Sequence, residues 1–200
     1  MEQETTPAHQ AILDAVQSGR RNVAISAVAG GTKTSTIVRA ASLLTGKRVL
    51  FLAFMNRITD EIRKRVPASV DVSTINSLGH RAYTRHVLDR GIVIRNVDKD
   101  KTRKIAKDLL QENDFRAEAG RIEKLVGLAK TAGMIPNNSR SLVEANEDQL
   151  AILAKHHDVF EADDDEASII EHSLQVLAAS CEKMDVIDFD DQLLLSFASN

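Results

Sequence analysis

Residues 27–34 of the chain read Ala-Val-Ala-Gly-Gly-Thr-Lys-Thr. This stretch follows an apolar run, Asn22 to Val28, that predicts a buried strand of a parallel sheet. It precedes helical periodicity from Thr34 to Leu44. A glycine-containing loop between a strand and a helix is the setting of a phosphate-binding loop, because the first N–H groups of the helix are unsatisfied and carry partial positive charge.

The loop predicts a site for ATP and Mg²⁺. We expect Lys33 to reach the β- and γ-phosphates and the Thr34 hydroxyl to ligate Mg²⁺, which makes these two residues the candidate catalytic positions. The residues expected to contact the nucleotide are Ala27, Ala29, Gly30, Gly31, Thr32, Lys33, Thr34 and Ser35. The alternative is an ordinary strand-to-helix turn that carries a surface lysine.

Thr32 departs from the usual loop pattern. Glycine normally stands directly before the lysine, where a backbone amide approaches the phosphates closely, but here Gly31 comes one place earlier. A β-branched residue in a loop that needs unusual dihedral angles costs about 1–3 kcal/mol. That strain corresponds to a roughly tenfold to hundredfold loss of nucleotide affinity.

Helices and strands alternate on both sides of the loop. Thr6 and Pro7 predict the N-cap and the first residue of a short amphipathic helix that opens the chain. After the loop, the pattern predicts two strands and two helices in alternation: a strand over Arg48–Phe54, a helix over Arg57–Arg65, a strand over Ser69–Thr74 and a helix over Ser77–Leu88. This order indicates an α/β fold with a parallel sheet.

From about Asp98 to Lys183 the pattern changes to a helical block. Apolar residues recur there at helical spacing, and strand-like runs disappear. Polar segments predict three helix starts: Asp98 with Asp100, the capping box Ser141–Glu144, and the acidic run Glu161–Glu166. We interpret the acidic run as a solvated helix start rather than a ligand site.

The composition is that of a soluble globular chain, and it limits the classes of partner. A net charge of −3 at pH 7 gives no argument from overall basicity, so a nucleic-acid role has to rest on local clusters of Lys and Arg. The single cysteine, Cys181, excludes an intrachain disulfide and a multi-cysteine zinc site, and we interpret it as a small buried hydrophobe. A polar N-terminus and the lack of a long apolar run predict a cytoplasmic protein without a membrane segment.

Several motifs together resemble the UvrD/Rep-like superfamily 1 DNA helicases. Gln10, upstream of the loop, matches the family's Q motif, in which a glutamine amide reads the edge of adenine. Val49–Phe54 and Asp60–Arg65 are similar to motif Ia, a strand and a helix beside the path of single-stranded DNA. Met55 departs from that motif, because asparagine is common at its position.

The resemblance continues to the end of the chain. Thr74–Gly79 looks like the next family motif, with Asn76 in place of a histidine; either side chain can donate to a DNA phosphate. Leu128–Pro136 is similar to the lysine-glycine-proline turn of the family's helical 1B subdomain. Asp188–Asp191 resembles the segment that introduces the helix before the Walker B strand.

The resemblance implies a P-loop NTPase (RecA-like) parallel sheet with an inserted helical subdomain. Residues 1–90 are expected to form the first part of the RecA-like 1A core, residues 91–183 a helical 1B-like subdomain, and residues 184–200 an incomplete return to the core. The implied function is the ATP-binding N-terminal portion of a helicase that, when complete, translocates on single-stranded DNA and acts in DNA repair.

The same resemblance implies DNA contacts near the carboxyl edge of the sheet. The candidates are Arg57, Arg63, Lys64, Thr74 and Asn76, with Arg65, Arg81 and Arg85 as further positive side chains. For each Arg and Lys, a solvated helix face is the alternative interpretation. Base stacking is expected to rely on Phe54 or on a portion of the protein beyond these residues, because tryptophan is absent and Tyr83 is the only tyrosine.

The sequence does not decide whether residues 1–200 catalyse a reaction. The family's acidic motif, whose glutamate orients the attacking water, is expected beyond Asn200, so residues 1–200 alone should bind ATP weakly and not unwind DNA. Asp188, Asp190 and Asp191 are expected to cap a helix and hold the fold rather than to replace that motif. One alternative function is a non-catalytic nucleotide- or DNA-binding remnant with a degraded loop. Another is a different P-loop enzyme, such as a small kinase, which would need an acidic motif and a lid within the chain.

Overall fold

The chain has an α/β fold of helices and short parallel strands. The structure, a computed structural model, describes residues 6–19, 22–28, 32–136 and 143–198. It divides into two compact units, residues 1–75 and residues 76–200. In the described ranges, no helix combines the length and the apolar character that a bilayer span requires.

The first unit contains three helices and two strands in its described part: α1 Pro7–Ser18, α2 Lys33–Leu43, β1 Val49–Ala53, α3 Asn56–Arg63 and β2 Val70–Thr74. The predicted start of α1 is confirmed, because Thr6 caps the helix by accepting from the His9 N–H at 3.3 Å and Pro7 occupies the first turn. Gly19 ends α1 in the left-handed conformation, with φ of 59°. Helix α1 packs against α2.

The sheet of the first unit consists of β1 and β2 in its described part. The two strands pair in parallel, from Val49 opposite Val70 to Ala53 opposite Thr74. Helix α3 connects them and packs on the same face as α2, so that Val38, Ile62 and Val72 share a small apolar core. The predictions of these two strands and of the helix between them are confirmed.

The predicted buried strand over Asn22–Val28 is wrong. These residues form no regular strand, and Val28 is 80% exposed. A strand forms when its N–H and C=O groups pair with a neighbour. Among the described residues β1 pairs only with β2, and residues 22–28 make no ladder of this kind with either strand.

The second unit is predominantly helical. Its elements are α4 Ile75–Leu88 (which begins at the unit boundary), β3 Asn96–Val97, α5 Lys101–Leu109, α6 Glu112–Thr131, β4 Met134–Ile135, β5 Val143–Glu144, α7 Glu147–His156, α8 Glu166–Glu182, β6 Val186–Ile187 and α9 Asp191–Ala198. Helices α5, α6, α7 and α8 bury one continuous core that includes Ile122, Leu125, Leu150 and Leu177. Strand β3 pairs in parallel with β6, and β4 with β5.

Two of the three predicted helix starts in this block agree with the structure. Asp165, in the acidic run, caps α8 by accepting from the Ser168 N–H at 3.1 Å. Helix α5 follows Asp98 and Asp100, where Asp98 Oδ1 accepts from the Asp100 N–H at 3.0 Å. The capping box at Ser141–Glu144 is wrong: Glu144 lies in β5, and Asn146 caps α7 instead. Ser141 lies outside the described residues.

Candidate nucleotide site

Helix α2 begins with an uncapped and positively charged N-terminus. Lys33 is its first residue, and Thr32, in the cap position, makes no side-chain capping hydrogen bond. The first turn contains no acidic residue. The N–H groups of a first helical turn have no partner within the helix, so this end favours an anion.

Thr32 has the backbone conformation that the sequence argument anticipated. Its φ is 55° and its ψ is 18°, in the left-handed region. Glycine adopts this region freely, whereas other L-residues lose roughly 1–2 kcal/mol there. The expectation that Thr32 needs unusual dihedral angles is confirmed, and it explains why glycine suits the position before the lysine.

Lys33 is held by the first two residues of the stretch 27–34. Its ammonium Nζ donates to Ala27 O at 2.6 Å and to Val28 O at 2.7 Å. These carbonyl oxygens accept hydrogen bonds from the ammonium, as phosphate oxygens also do. The Thr34 side chain is exposed on the first turn of α2, and Ala29, Gly30 and Gly31 lie outside the described residues.

Gln10 lies on α1, the helix that packs on α2. Its side chain is exposed, and its Nε2 donates to Asp14 Oδ1 at 2.7 Å. The preceding residue, His9, places its Nε2 2.8 Å from Thr32 Oγ1. The fold therefore brings the segment around Gln10 to the segment around Lys33. Nothing in the sequence pattern indicated the His9 contact, since the two residues are 23 positions apart.

Arg65 reaches the first turn of α2. Its Nη2 donates to Ser35 Oγ at 3.0 Å, and its Nη1 donates to Glu61 Oε1 at 3.1 Å. The sequence indicated Arg65 only as a candidate DNA contact. The structure instead places its guanidinium beside Ser35, one of the predicted nucleotide-binding residues, where it adds positive charge to the same helix end.

The candidate DNA contacts of the first unit differ in their surroundings. Phe54 is 84% exposed at the carboxyl end of β1, and Arg57 and Lys64 are exposed on α3 and at its end. Arg63 is engaged, because it pairs with Asp60 at 2.8 Å and donates to Val72 O at 2.9 Å. Thr74 is buried at the end of β2.

The remaining candidates belong to the second unit. Asn76 Nδ2 donates to Phe189 O at 3.2 Å. Arg81 and Arg85 are exposed on α4. The amide of Asn76 is thus committed to a backbone carbonyl, while both arginine side chains reach solvent.

The aspartates near the end of the chain form a helix cap. The Asp191 N–H donates to Asp188 Oδ1 at 2.8 Å, and the Asp188 N–H donates to Asp191 Oδ2 at 3.1 Å. Asp190 O accepts from the Leu194 N–H at 3.0 Å, the start of α9. Lys101 Nζ binds Asp191 Oδ2 at 2.6 Å and Lys130 Nζ binds Asp188 Oδ2 at 2.5 Å. The predicted capping and fold role is confirmed.

In the part of the chain that is described, no group of three or more His, Cys, Asp or Glu residues is placed to hold a metal ion. At α2 the Thr34 hydroxyl and the nucleotide phosphates would be the donors to a magnesium ion. That donor set is one that Mg²⁺ accepts, since it commonly keeps several waters and binds through nucleotide phosphates.

Comparison with known proteins identifies the family. The model of the family described as UvrD/REP helicase N-terminal domain matches residues 8–199. No curated protein gives a significant match. The matched range includes the uncapped helix end with Lys33, the segment of Gln10 and the aspartate cap of α9. Because the match spans nearly the whole chain, the chain belongs to the UvrD/REP helicase N-terminal domain family and is a helicase-type, ATP-binding portion.

Proposed function

We propose that the chain binds ATP at the N-terminus of α2 and serves the motor of an ATP-dependent helicase that translocates on single-stranded DNA when complete. The observation that carries this proposal is the Lys33 ammonium, held at an uncapped helix end by two carbonyl oxygens. Residues 91–183 are part of the same proposal as the family's helical 1B subdomain.

Each residue of the site has a distinct role in this proposal. The first-turn N–H groups of α2 and the Lys33 ammonium bind the phosphates, and Lys33 exchanges its two carbonyl acceptors for phosphate oxygens. Arg65 adds charge through its place beside Ser35. Gln10 reads adenine after it releases Asp14. Bound Mg²⁺ would neutralise phosphate charge, with Thr34 as its protein ligand.

Replacing Lys33 tests the site directly. We expect Lys33→Ala to raise the Kd for Mg-ATP roughly tenfold to hundredfold, because a charged hydrogen-bond donor to the phosphates is lost. Lys47→Ala removes an exposed lysine beyond the other end of α2 and should leave Kd unchanged. The measurement is fluorescence titration with a labelled ATP analogue. Equal Kd values for the two variants would exclude Lys33 from the site.

Single-stranded DNA is proposed to pass the carboxyl end of β1. Phe54 offers an exposed ring for base stacking, and Arg57 offers an exposed guanidinium for a phosphate. Lys64 lies seven residues further along α3, about 10 Å by the helical rise, and suits a second phosphate. Arg63 contributes less in this proposal, since its guanidinium already binds Asp60 and Val72.

The DNA proposal predicts different effects on DNA binding for two exposed arginines, Arg57 beyond the carboxyl end of β1 and Arg48 before its amino end. Arg57→Ala should weaken binding of a labelled oligo(dT) and lower the slope of log K against log salt by about 0.7, because one phosphate contact is lost. Arg48→Ala removes the same charge before the amino end of β1 and should change neither quantity. Fluorescence anisotropy at several salt concentrations measures both. Equal effects of the two substitutions on oligo(dT) affinity and on the salt slope would show that the DNA does not contact the carboxyl end of β1.

A second candidate function is a remnant that binds DNA without using ATP. The left-handed Thr32 favours it, because a threonine in this conformation strains the loop. Under this alternative, oligo(dT) affinity would be the same with and without Mg-ATP, and no labelled ATP would bind at millimolar concentration. Measurable ATP binding that depends on Lys33 would reject it.

A further inference from the structure

We propose that His9 is a positioning residue of the phosphate site, which holds Thr32 in its left-handed conformation and thereby sets the start of α2. The inference rests on the proposed ATP site. His9 belongs to none of the sequence motifs, and its contact with Thr32 explains how a threonine can stand where glycine is usual.

His9 and Thr32 are in direct side-chain contact. His9 Nε2 lies 2.8 Å from Thr32 Oγ1, and the pair is partly buried. Partial burial limits competition from water, so this hydrogen bond is worth more than one on an open surface. Glycine has no hydroxyl and could not form it. Thr32 therefore causes the backbone strain and also supplies the hydroxyl group through which His9 holds the strained backbone.

The backbone carbonyl of Thr32 is held as well as its hydroxyl. Thr32 O accepts from the Thr36 N–H at 2.9 Å and from Thr36 Oγ1 at 3.0 Å. With the carbonyl bound to α2 and the hydroxyl bound to α1, the dihedral angles of Thr32 are held from both ends. These angles determine where the N–H groups of the first turn of α2 point.

The hydrogen bond between His9 and Thr32 connects the two halves of the proposed site, the segment of Gln10 and the segment of Lys33. His9 directly precedes Gln10, and Thr32 directly precedes Lys33. A single hydrogen bond thus joins the helix that carries the proposed adenine-reading residue to the residue that orients the proposed phosphate cradle. Loss of this bond should loosen the cradle even though His9 need not touch the nucleotide.

A double-mutant cycle tests the inference in the full chain. His9→Ala should raise the Kd for Mg-ATP about threefold to tenfold, the usual value of one hydrogen bond. In a Thr32→Gly background the same change should alter Kd less than twofold, because the hydroxyl partner is gone and glycine adopts the left-handed region without help. His9→Gln, whose amide can donate or accept, should recover most of the affinity.

Gln17→Ala, an exposed change on the same helix, is the matched control and should leave Kd unaltered in both backgrounds. A His9→Ala effect of equal size in the threonine and glycine backgrounds would overturn the inference while leaving the ATP site intact. So would an unchanged Kd for His9→Ala in the threonine background. If the unmodified chain binds no Mg-ATP, the proposed function itself fails, and the positioning role fails with it.

Discussion

Burial controls the chemistry of the one cysteine. Cys181 lies on α8 and packs partly buried against the apolar cores of the second unit. Burial raises the pKa of its thiol to about 11, and the negative charge of Asp191 acts in the same direction. The interpretation of Cys181 as a small hydrophobe rather than a reactive group agrees with this environment.

Thiol labelling should therefore be slow in the folded chain. With a pKa of about 11, on the order of one thiol in a thousand is ionised at pH 8, and the thiolate is the reactive form. We expect the rate with a disulfide reagent to rise steadily from pH 7 to pH 10 and to increase sharply once urea unfolds the chain. Labelling at pH 8 that is as fast in the folded chain as in urea would contradict this.

At the scale of elements, the crossing of α4 and α9 depends on a glycine. A Cβ atom on Gly79 would lie 2.2 Å from the backbone oxygen of Gln192 and 3.2 Å from the Leu193 side chain. The backbone oxygen cannot turn aside as a flexible side chain can. The two helices can approach this closely only because position 79 has no side chain.

Gly79→Ala should accordingly destabilise the chain by about 3 kcal/mol, at the upper end of the effect of overpacking a core. Gly120→Ala is the control, because a Cβ atom there meets nothing within 4 Å in the middle of α6. Alanine is the better helix former, so that change should stabilise by about 0.5–1 kcal/mol. Urea unfolding followed by circular dichroism measures both. A loss of less than 1 kcal/mol for Gly79→Ala would show that the helices can separate at little cost.

At the scale of the molecule, a buried charge network ties the second unit together. Lys101 from α5, Lys130 from α6 and the two cap residues Asp188 and Asp191 are each less than 10% exposed. Lys101 Nζ also donates to Ser180 O of α8 at 2.7 Å. Burial lowers the pKa of Lys101 in spite of Asp191. At Lys130 burial acts in the same direction, but Asp191 and Asp188 together outweigh it and raise the pKa.

Lys101→Met tests how much this network stabilises the fold. The methionine keeps a similar volume but leaves Asp191 with one ammonium partner fewer, so we expect a loss of about 3 kcal/mol, as is typical when a buried ion pair is broken. Lys99→Met, two residues away and exposed, should change stability by less than about 0.5 kcal/mol. Urea midpoints compare the two. A neutral Lys101→Met would mean that apolar packing holds these helices without the ion pair.

Local signals predicted the elements whose cause is local. Thr6 with Pro7 fixed the start of α1, and the acidic run fixed the start of α8, because a cap acts within one turn of its helix. Two signals failed where a partner distant in sequence decides. The apolar run over Asn22–Val28 pairs with neither described strand of its unit and forms no strand, whereas Glu144 lies in β5, which pairs with β4.

The sequence by itself determined the loop, its lysine and the order of motifs that places the chain in its family, because these depend on residue identity and spacing. It also indicated the candidate DNA contacts, but not which of their side chains are already engaged in the fold. Only the tertiary structure separated the exposed side chain of Arg57 from the engaged Arg63, placed Arg65 on Ser35 and joined His9 to Thr32. Such contacts link residues far apart in the chain, and burial and distance arise only when the helices pack.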